Sequence, residues 1–384
     1  MPSKYHLVDL FAGCGGFSEG FKGRNFEVLA SVEWEPKCIE TIDANSSKNH
    51  VSYLTDIRET KNYLTGKDSL STINDEKGVD GVIGGPPCQA YSLAGRIRCP
   101  SGMKDDYRNY LFEAYINVLK KLKPSFFVFE NVVGMLSAKP GGVPVTERLA
   151  EAFKKAGYVI PAIDKHILFD LAEMGGPQKR KRVIIFGLHK SVDEAAEKVE
   201  AFYGHLNKMK TVPGSVGDAI GDLPKLMPLR SPDKRQSHKI NSDDPLHCPR
   251  FHNERDRGIF RKLAVDAKKK KPEYGSSEKL KELYTQETGR ISSVHKYHVL
   301  KADKPSNLIP AHLHKDGLRH IHYDPRQERS ITMREAARLQ TFPDKFEFKG
   351  AQGDIYKMIG NAVPPLLAKK VSRAVIKALG KKTF

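Results

Sequence analysis

Apolar residues in this chain gather into short unbroken runs separated by helical stripes. Runs at 5–11, 26–32, 79–83, 125–129 and 183–186 have the length of strands and little polar alternation, the pattern of strands covered on both faces. Between them, 109–121 puts Leu111, Phe112, Tyr115, Ile116 and Leu119 on one helical face, and 145–157 reads as a second amphipathic helix. Residues 18–22 predict a helix after the first run, and Pro36 suits the first turn of a helix after the second. Strand and helix in alternation predict an α/β fold with helices on both faces of one sheet. Beyond Leu188 the pattern loosens. Residues 191–194 read as a capping box opening a surface helix, Pro and basic residues are frequent over 213–249, and few strands are evident. Order returns where Thr332 and Glu335 cap a helix over 333–340, and where an apolar stripe marks 366–379. A last helix returning to the first domain would make that domain discontinuous: 1–190 completed by 353–384, with 191–352 as a smaller, loop-rich, basic module.

The candidate chemistry lies at the carboxyl ends of the runs, where ligands gather in open α/β sheets. The 79–83 run ends in GGPPCQAYS (84–92), and two glycines and two prolines predict a rigid turn that exposes Cys88. Most free cysteines behave as small hydrophobes, so Cys88 needs partners before it reads as a nucleophile. After the first run, Phe11, Ala12, Gly13, Gly15 and Gly16 form a glycine-rich turn of the kind that lets backbone approach a nucleotide-like ligand. The second run ends in Glu33, placed to bind a ribose hydroxyl pair, and Trp34, which either stacks on an adenine or packs in the core. Asp56 and Ile57 stand near the end of a third strand, where the aspartate accepts from an adenine amino group or caps a helix. Glu130 follows the 125–129 run directly, and a carboxylate there is costly without a partner or a task. In QKRKR (178–182), alternation puts Gln178, Arg180 and Arg182 on one face, able to hold a carboxylate and a polar ring edge. Residues 93–107 are polar and aperiodic, either a lid or a plain surface connection.

Composition narrows the classes. The chain has 384 residues, enough for two domains, and 64 Lys and Arg against 46 Asp and Glu give a net charge of +18. That excess favours a polyanion such as nucleic acid, without separating DNA from RNA. No apolar run is long enough for a bilayer and no charged-then-apolar leader begins the sequence, so no membrane partner is expected. Five scattered cysteines without a C-x-x-C pair fit a reducing compartment. His312, His314, His320 and His322 form two H-x-H pairs that lack completing ligands, so a turn contacting nucleic acid is preferred to a metal site.

DLFAGCGGF (9–17), VEW (32–34), DI (56–57), GGPPCQAYS, ENV (130–132), QKRKR, RSITMREAARLQTFPD (329–344) and GNAVPP (360–365) together resemble the cytosine carbon-5 DNA methyltransferases of the compact bacterial type, in that family's usual order. Only about 192–324 lacks a strong match, where the family keeps its target recognition region. The resemblance implies an S-adenosylmethionine-dependent, Rossmann-like mixed sheet with a smaller target recognition domain. It implies that Phe11, Glu33, Trp34, Asp56, Leu111, Asn361 and Val363 hold S-adenosylmethionine and later its product S-adenosylhomocysteine, with Pro87 meeting both cofactor and base. Cys88 would be the nucleophile, Glu130 its acid partner, and Arg180 and Arg182 would position the cytosine. The implied partner is double-stranded DNA, with a cognate restriction endonuclease optional. The implied protein is a cytoplasmic, nucleoid-associated bacterial monomer that uses no metal. An RNA cytosine methyltransferase and a catalytically silent DNA-binding regulator are the alternatives.

Overall fold

The computed structural model describes residues 4–87, 111–231 and 236–380; Cys88, Cys99 and the 93–107 loop lie outside the described residues. Among the described residues eight strands form one mixed sheet: β1 Tyr5–Leu10, β2 Phe26–Glu33, β3 Val51–Leu54, β4 Gly81–Gly84, β5 Phe126–Val132, β6 Tyr158–Val159, β7 Leu168–Asp170 and β8 Lys181–His189. Their order is β3-β2-β1-β4-β5-β8-β6, with β7 pairing β8 off that path. β1 to β5 pair in parallel, and β8 joins β5 antiparallel. Each unbroken apolar run is a strand here, because helices cover both faces and leave no side for polar alternation.

The order of strands reverses at one place. From β1 the chain steps through β2 and β3 toward one edge, then returns to the other side of β1 for β4 and β5. Connections leaving the carboxyl ends of β1 and β4 therefore diverge, and the crevice between them is where such sheets bind ligands. Leu10 pairs with Gly84, so the glycine-rich turn after β1 and the Gly-Pro-Pro turn after β4 begin side by side.

The helix Leu111–Leu122 buries its apolar face against β4 and β5, and the Tyr115 hydroxyl donates to the carbonyls of Val82 (3.0 Å) and Val128 (3.2 Å). Phe127 stacks on Phe153 of the helix Val145–Lys155 with centroids 4.3 Å apart. Full burial of each such ring contributes about 1.5–3 kcal/mol, so a handful of them holds the strand ends in place. The terminal helix Pro365–Leu379 crosses the helix Gly16–Phe21 so closely that a Cβ on Gly20 would lie 2.3 Å from Ala368 Cβ.

Three expectations fail in the second half. Residues 191–194 form no capping box: Glu194 precedes the helix Ala195–Asn207 in the left-handed region without a side-chain cap. Nor is that helix part of a separate module. Phe202 stacks on Phe186 at 4.3 Å, and the Tyr203 hydroxyl accepts from Phe186 N (2.8 Å) and donates to Ile184 O (3.1 Å). Its charged outer face conceals the stripe Ala195, Val199, Phe202 and Leu206, all buried in the main core. One of the two H-x-H pairs also differs from expectation, while His312 stays exposed. His320 and His322 are buried, and desolvation lowers both to about 3, so they are neutral interior groups and not part of a contact surface.

Residues 216–362 build a second core from Val216, Leu246, Ile309, Leu339 and Ile359, which also takes in Cys14 and Cys38 of the first half. A third, small core of Ile259, Phe260, Leu263, Leu283, Tyr297 and Ile321 lies under the helices Glu254–Asp266 and Ser277–Thr288. No helix among the described residues is long and apolar enough to cross a membrane.

Candidate active site

The turn after β1 is shaped by backbone conformation. Phe11 takes φ +55°, Gly13 +56° and Gly15 +85°. A Cβ on Gly13 would meet nothing within 4 Å, so open space lies beside the turn, whereas one on Gly16 would lie 2.5 Å from Val363 O. Gly13 thus borders open space, and Gly16 is a position of close packing. Ala12 is buried beside this turn. The Glu33 carboxylate fixes the turn to the end of β2: Oε2 accepts from Gly13 N (2.8 Å), and Oε1 accepts from Trp34 N (3.0 Å) and Glu35 N (3.1 Å). Burial raises Glu33 and these three amides oppose the rise. Trp34 stands at the rim with 66% of its surface exposed, which excludes core packing and leaves a large apolar face uncovered.

The other expected cofactor residues are dispersed around the same end. Asp56 is half-exposed and held by Arg58, whose Nη2 lies 2.6 Å from Oδ2, while Arg58 N donates to Oδ1. Ile57 is buried, and its carbonyl accepts from the Tyr63 hydroxyl. Leu111 is buried at the start of its helix. Pro87 lines a cavity of about 10 Å³ with Pro86, Phe112, Phe129 and Asn131, room for about one water. Val363 is half-buried at Gly16, and Asn361 is exposed.

Glu130 closes the site from the other side. β4 and β5 run in register, Gly84 opposite Phe129, so Glu130 arrives where the Gly-Pro-Pro turn starts. A Cβ on Gly85 would lie 2.7 Å from Glu130 Oε2: only glycine lets the backbone pass this close to the carboxylate. Asn131 Nδ2 donates to Pro86 O at 3.4 Å and ties the turn to β5. From there the chain runs through Pro87 to Cys88, outside the described residues. Arg182 Nε lies 2.6 Å from Glu130 Oε1, and both side chains are buried. Burial raises Glu130, opposed by Arg182 and Arg180, and the raised direction prevails. Burial thus favours the protonated form of this carboxyl.

The alternation in QKRKR is present: Gln178, Arg180 and Arg182 are buried, Lys179 and Lys181 exposed. The two arginines differ in what they face. Arg182 meets Glu130. Arg180 donates from Nη1 to Ile309 O (3.0 Å) and from Nη2 to Gly360 O (2.9 Å) and Ala362 O (3.0 Å). Gln178 joins the same seam, donating to Gln340 Oε1 (2.6 Å) and accepting from Ile309 N (3.0 Å). Arg180 and Gln178 therefore bind the sheet to the 306–309 and 360–362 segments.

Burial pushes the Cys14 thiol up to about 12, pushes Cys38 higher still, and also raises Cys248. None of these three is a thiolate near neutral pH, so none competes with Cys88 as nucleophile. Among the described residues no cluster of His, Cys, Asp and Glu is arranged to hold a metal ion.

Four groups here escape the pattern reading. Asp9 is fully buried within β1, where Oδ2 accepts from Ser18 Oγ (2.5 Å) and Oδ1 has no partner; burial pushes it up to about 7. Its signal was available, since a carboxylate inside an unbroken apolar run demands a reason. Gly85, Asn131 and the Gln178–Gln340 pair gave none, because their partners are remote in sequence.

The family profile of C-5 cytosine-specific DNA methylases matches residues 5–377. The chain is 31% identical to the type II methyltransferase M.Bpa9945I of Bacillus paralicheniformis, over 96% of this chain and 98% of the relative. It is 33% identical to the type II methyltransferase M1.HphI of Haemophilus parahaemolyticus, over 96% and 86%. Among solved structures, a DNA modification methyltransferase encoded within an E. coli prophage superposes with a TM-score of 0.66 at 23% identity, covering 98% of this chain and 99% of that one. The S. pombe Dnmt2 methyltransferase superposes with 0.60 at 15%, covering 98% and 100%. These two likenesses are of fold.

Proposed function

Because the chain belongs to the C-5 cytosine-specific DNA methylases, we propose that it transfers a methyl group from S-adenosylmethionine to carbon 5 of a cytosine extruded from duplex DNA, through a transient bond to Cys88. The observation that carries this reading is the Glu130 carboxyl, buried, raised and packed against Gly85 on the turn that leads into Cys88.

The cofactor end fits such a donor. Gly13 borders open space, Trp34 offers an uncovered ring at the rim, and Glu33 Oε2, which accepts from Gly13 N, has spare acceptor capacity for a ribose hydroxyl, whereas Oε1 already takes two amides. Phe11, Ala12, Gly13, Gly15, Gly16, Glu33, Trp34, Asp56, Ile57, Pro87, Leu111, Asn361 and Val363 would surround it. When bound, it supplies an electrophilic methyl group that no side chain can provide.

The chain's own residues do the rest. Carbon 5 of cytosine is a weak nucleophile within its aromatic ring. The Cys88 thiolate adds at carbon 6 and pushes electron density to carbon 5. Glu130 gives its proton to ring nitrogen 3 as the adduct forms and takes it back as the adduct resolves; loss of the carbon-5 proton to a base then expels the Cys88 thiolate and restores the ring. Arg182, fixed on Glu130 Oε1, orients that carboxyl toward the base. Arg180 acts at one remove, holding the 306–309 and 360–362 segments against the sheet. A base in a stacked duplex cannot reach this buried acid, so the cytosine must leave the helix. We assign DNA recognition to the module within 191–352, less the helix Ala195–Asn207.

Cys88→Ala tests the reading. Methyl incorporation into duplex DNA should vanish while S-adenosylmethionine still binds; transfer at the wild-type rate would refute it.

A further inference from the structure

We propose that a cavity in the second half of the chain, remote in sequence from the Glu130 site, is a subsite for one nucleotide, phosphate and base together. The cavity holds about 430 Å³ and lies where the helices Glu254–Asp266 and Ser277–Thr288 meet the 290–297 and 315–318 segments. That volume is in the range of small-ligand sites.

Its lining selects an anion. Arg250, Arg255, Arg290 and Lys315 face only Asp256 and Asp316. Asp256 is already used by Arg255, whose Nε (3.1 Å) and Nη2 (2.8 Å) both donate to Oδ1, and Asp316 Oδ1 accepts from Leu318 N (3.0 Å). Arg290 and Lys315 are exposed and form no ion pair among the described residues. Two cations are thus left over in a concave site, where charge is less screened than on an open face.

The same lining also offers flat apolar surface. Phe251 keeps 45% of its surface exposed beside Arg250, and Tyr284 lines the opposite helix. Cation surplus with aromatic faces is the combination that binds a nucleotide, because every base has a π-face and every nucleotide a phosphate.

The site is held rigid. Arg250 donates from Nη2 to Leu313 O (2.7 Å), and its guanidinium carbon lies 4.6 Å from the centroid of the Tyr356 ring. Gly289, in the left-handed region at φ +69°, ends the Ser277–Thr288 helix and sets the direction in which Arg290 leaves it. Tyr297 forms part of the wall and belongs to the small core beneath.

The nucleotide has two sources, a residue of the bound DNA chain or a free mononucleotide. The inference rests on the DNA-methyltransferase reading for the first source only. The test uses full-length enzyme and measures binding without turnover, so a failure of the Cys88 chemistry leaves it readable. Binding of a mixed-sequence duplex is titrated across salt for wild type, Arg290→Ala/Lys315→Ala and Phe251→Ser, and binding of 2′-deoxynucleoside 5′-monophosphates is titrated alongside. Unchanged thermal midpoints show that the variants fold. If the occupant is part of the DNA chain, the double variant binds at least about 10-fold more weakly near physiological salt, and its log–log salt slope falls by about 1 for each phosphate it no longer neutralises. Phe251→Ser then weakens binding about 5- to 150-fold with the slope unchanged. If a free nucleotide is the occupant, monophosphates bind saturably to wild type, both variants lose that binding, and duplex affinity stays the same. Wild-type duplex binding by Phe251→Ser, with no saturable monophosphate binding, would overturn the proposal even if the double variant is weakened, since the cations would then be mere surface charges touching the backbone.

Discussion

Glu130 and Glu335 are buried glutamates that each face an arginine, and their pKa values move in opposite directions. Glu335 is met by Arg329 with two parallel bonds, Nη1 to Oε2 (2.6 Å) and Nη2 to Oε1 (2.7 Å), and Thr332 N adds a third to Oε2 (2.7 Å). Its carboxyl is held down at about 2 despite burial, with Arg329 the main counterweight. Glu130 meets Arg182 through one nitrogen on one oxygen, while its other oxygen lies against Gly85, and burial keeps it raised. Both are buried beside arginine, so the difference lies in the greater number of donors on Glu335, with His322 and His247 also facing it. A fully satisfied carboxylate is a fixed ion that organises a capping box. A carboxyl with fewer donors among the described residues is left with its protonated form favoured by burial, which suits the acid role proposed for Glu130.

The sharpest way to break this contrast is to remove the carboxyl to which the proposed function assigns the acid role. Glu130→Gln should lower the single-turnover methyl-transfer rate by about 10²- to 10⁴-fold while moving the thermal midpoint little. Arg329→Met should do the reverse. It leaves the Glu335 charge buried and unpaired, a cost of about 3–5 kcal/mol readable by urea denaturation, with any rate loss confined to the unfolded fraction.

Titration separates the two kinds further. Glu335, lowered to about 2 from 4.5, contributes stability that is present above its unfolded value and is lost as pH falls toward 2. Asp9 has the opposite sign. Raised from 3.8 to about 7, its contribution is full below 3.8 and disappears as pH rises through 7. Asp9→Asn should therefore flatten the stability profile between pH 4 and 7, removing a decline of a few kcal/mol at about 1.4 kcal/mol per pK unit. Chemical denaturation at stepped pH measures it; an unchanged slope would mean that Asp9 does not titrate there.

The smallest effect sharpens the geometry. Gly85→Ala should displace the Glu130 carboxyl and cost about 10- to 100-fold in rate, with stability nearly intact, because the nearest atom to the new Cβ is the end of a side chain.

Much of this site was legible before any coordinates. Strand ends in a parallel sheet lie at one end, so an acid directly after 125–129 and a rigid turn directly after 79–83 had to meet if their strands were neighbours, which β4 and β5 are. The alternation in QKRKR told which side chains turn inward. It could not tell that Arg180 would meet the carbonyls of Ile309, Gly360 and Ala362, because those acceptors arrive from segments more than a hundred residues away. The helix Ala195–Asn207 misled for a related reason: its charges are visible in the sequence, and the sheet that covers its stripe is not. His320 and His322 read as a contact surface because histidine carries no mark of burial.

The most direct test of the central claim is covalent trapping. Duplex DNA with 5-fluorocytosine in place of cytosine blocks loss of the carbon-5 substituent, so an adduct formed there cannot resolve. With saturating S-adenosylmethionine, wild-type enzyme should give a denaturation-resistant protein–DNA species whose linked peptide contains Cys88, and Cys88→Ala should give none. Folded wild-type enzyme that binds donor and DNA yet forms no such species would contradict the account.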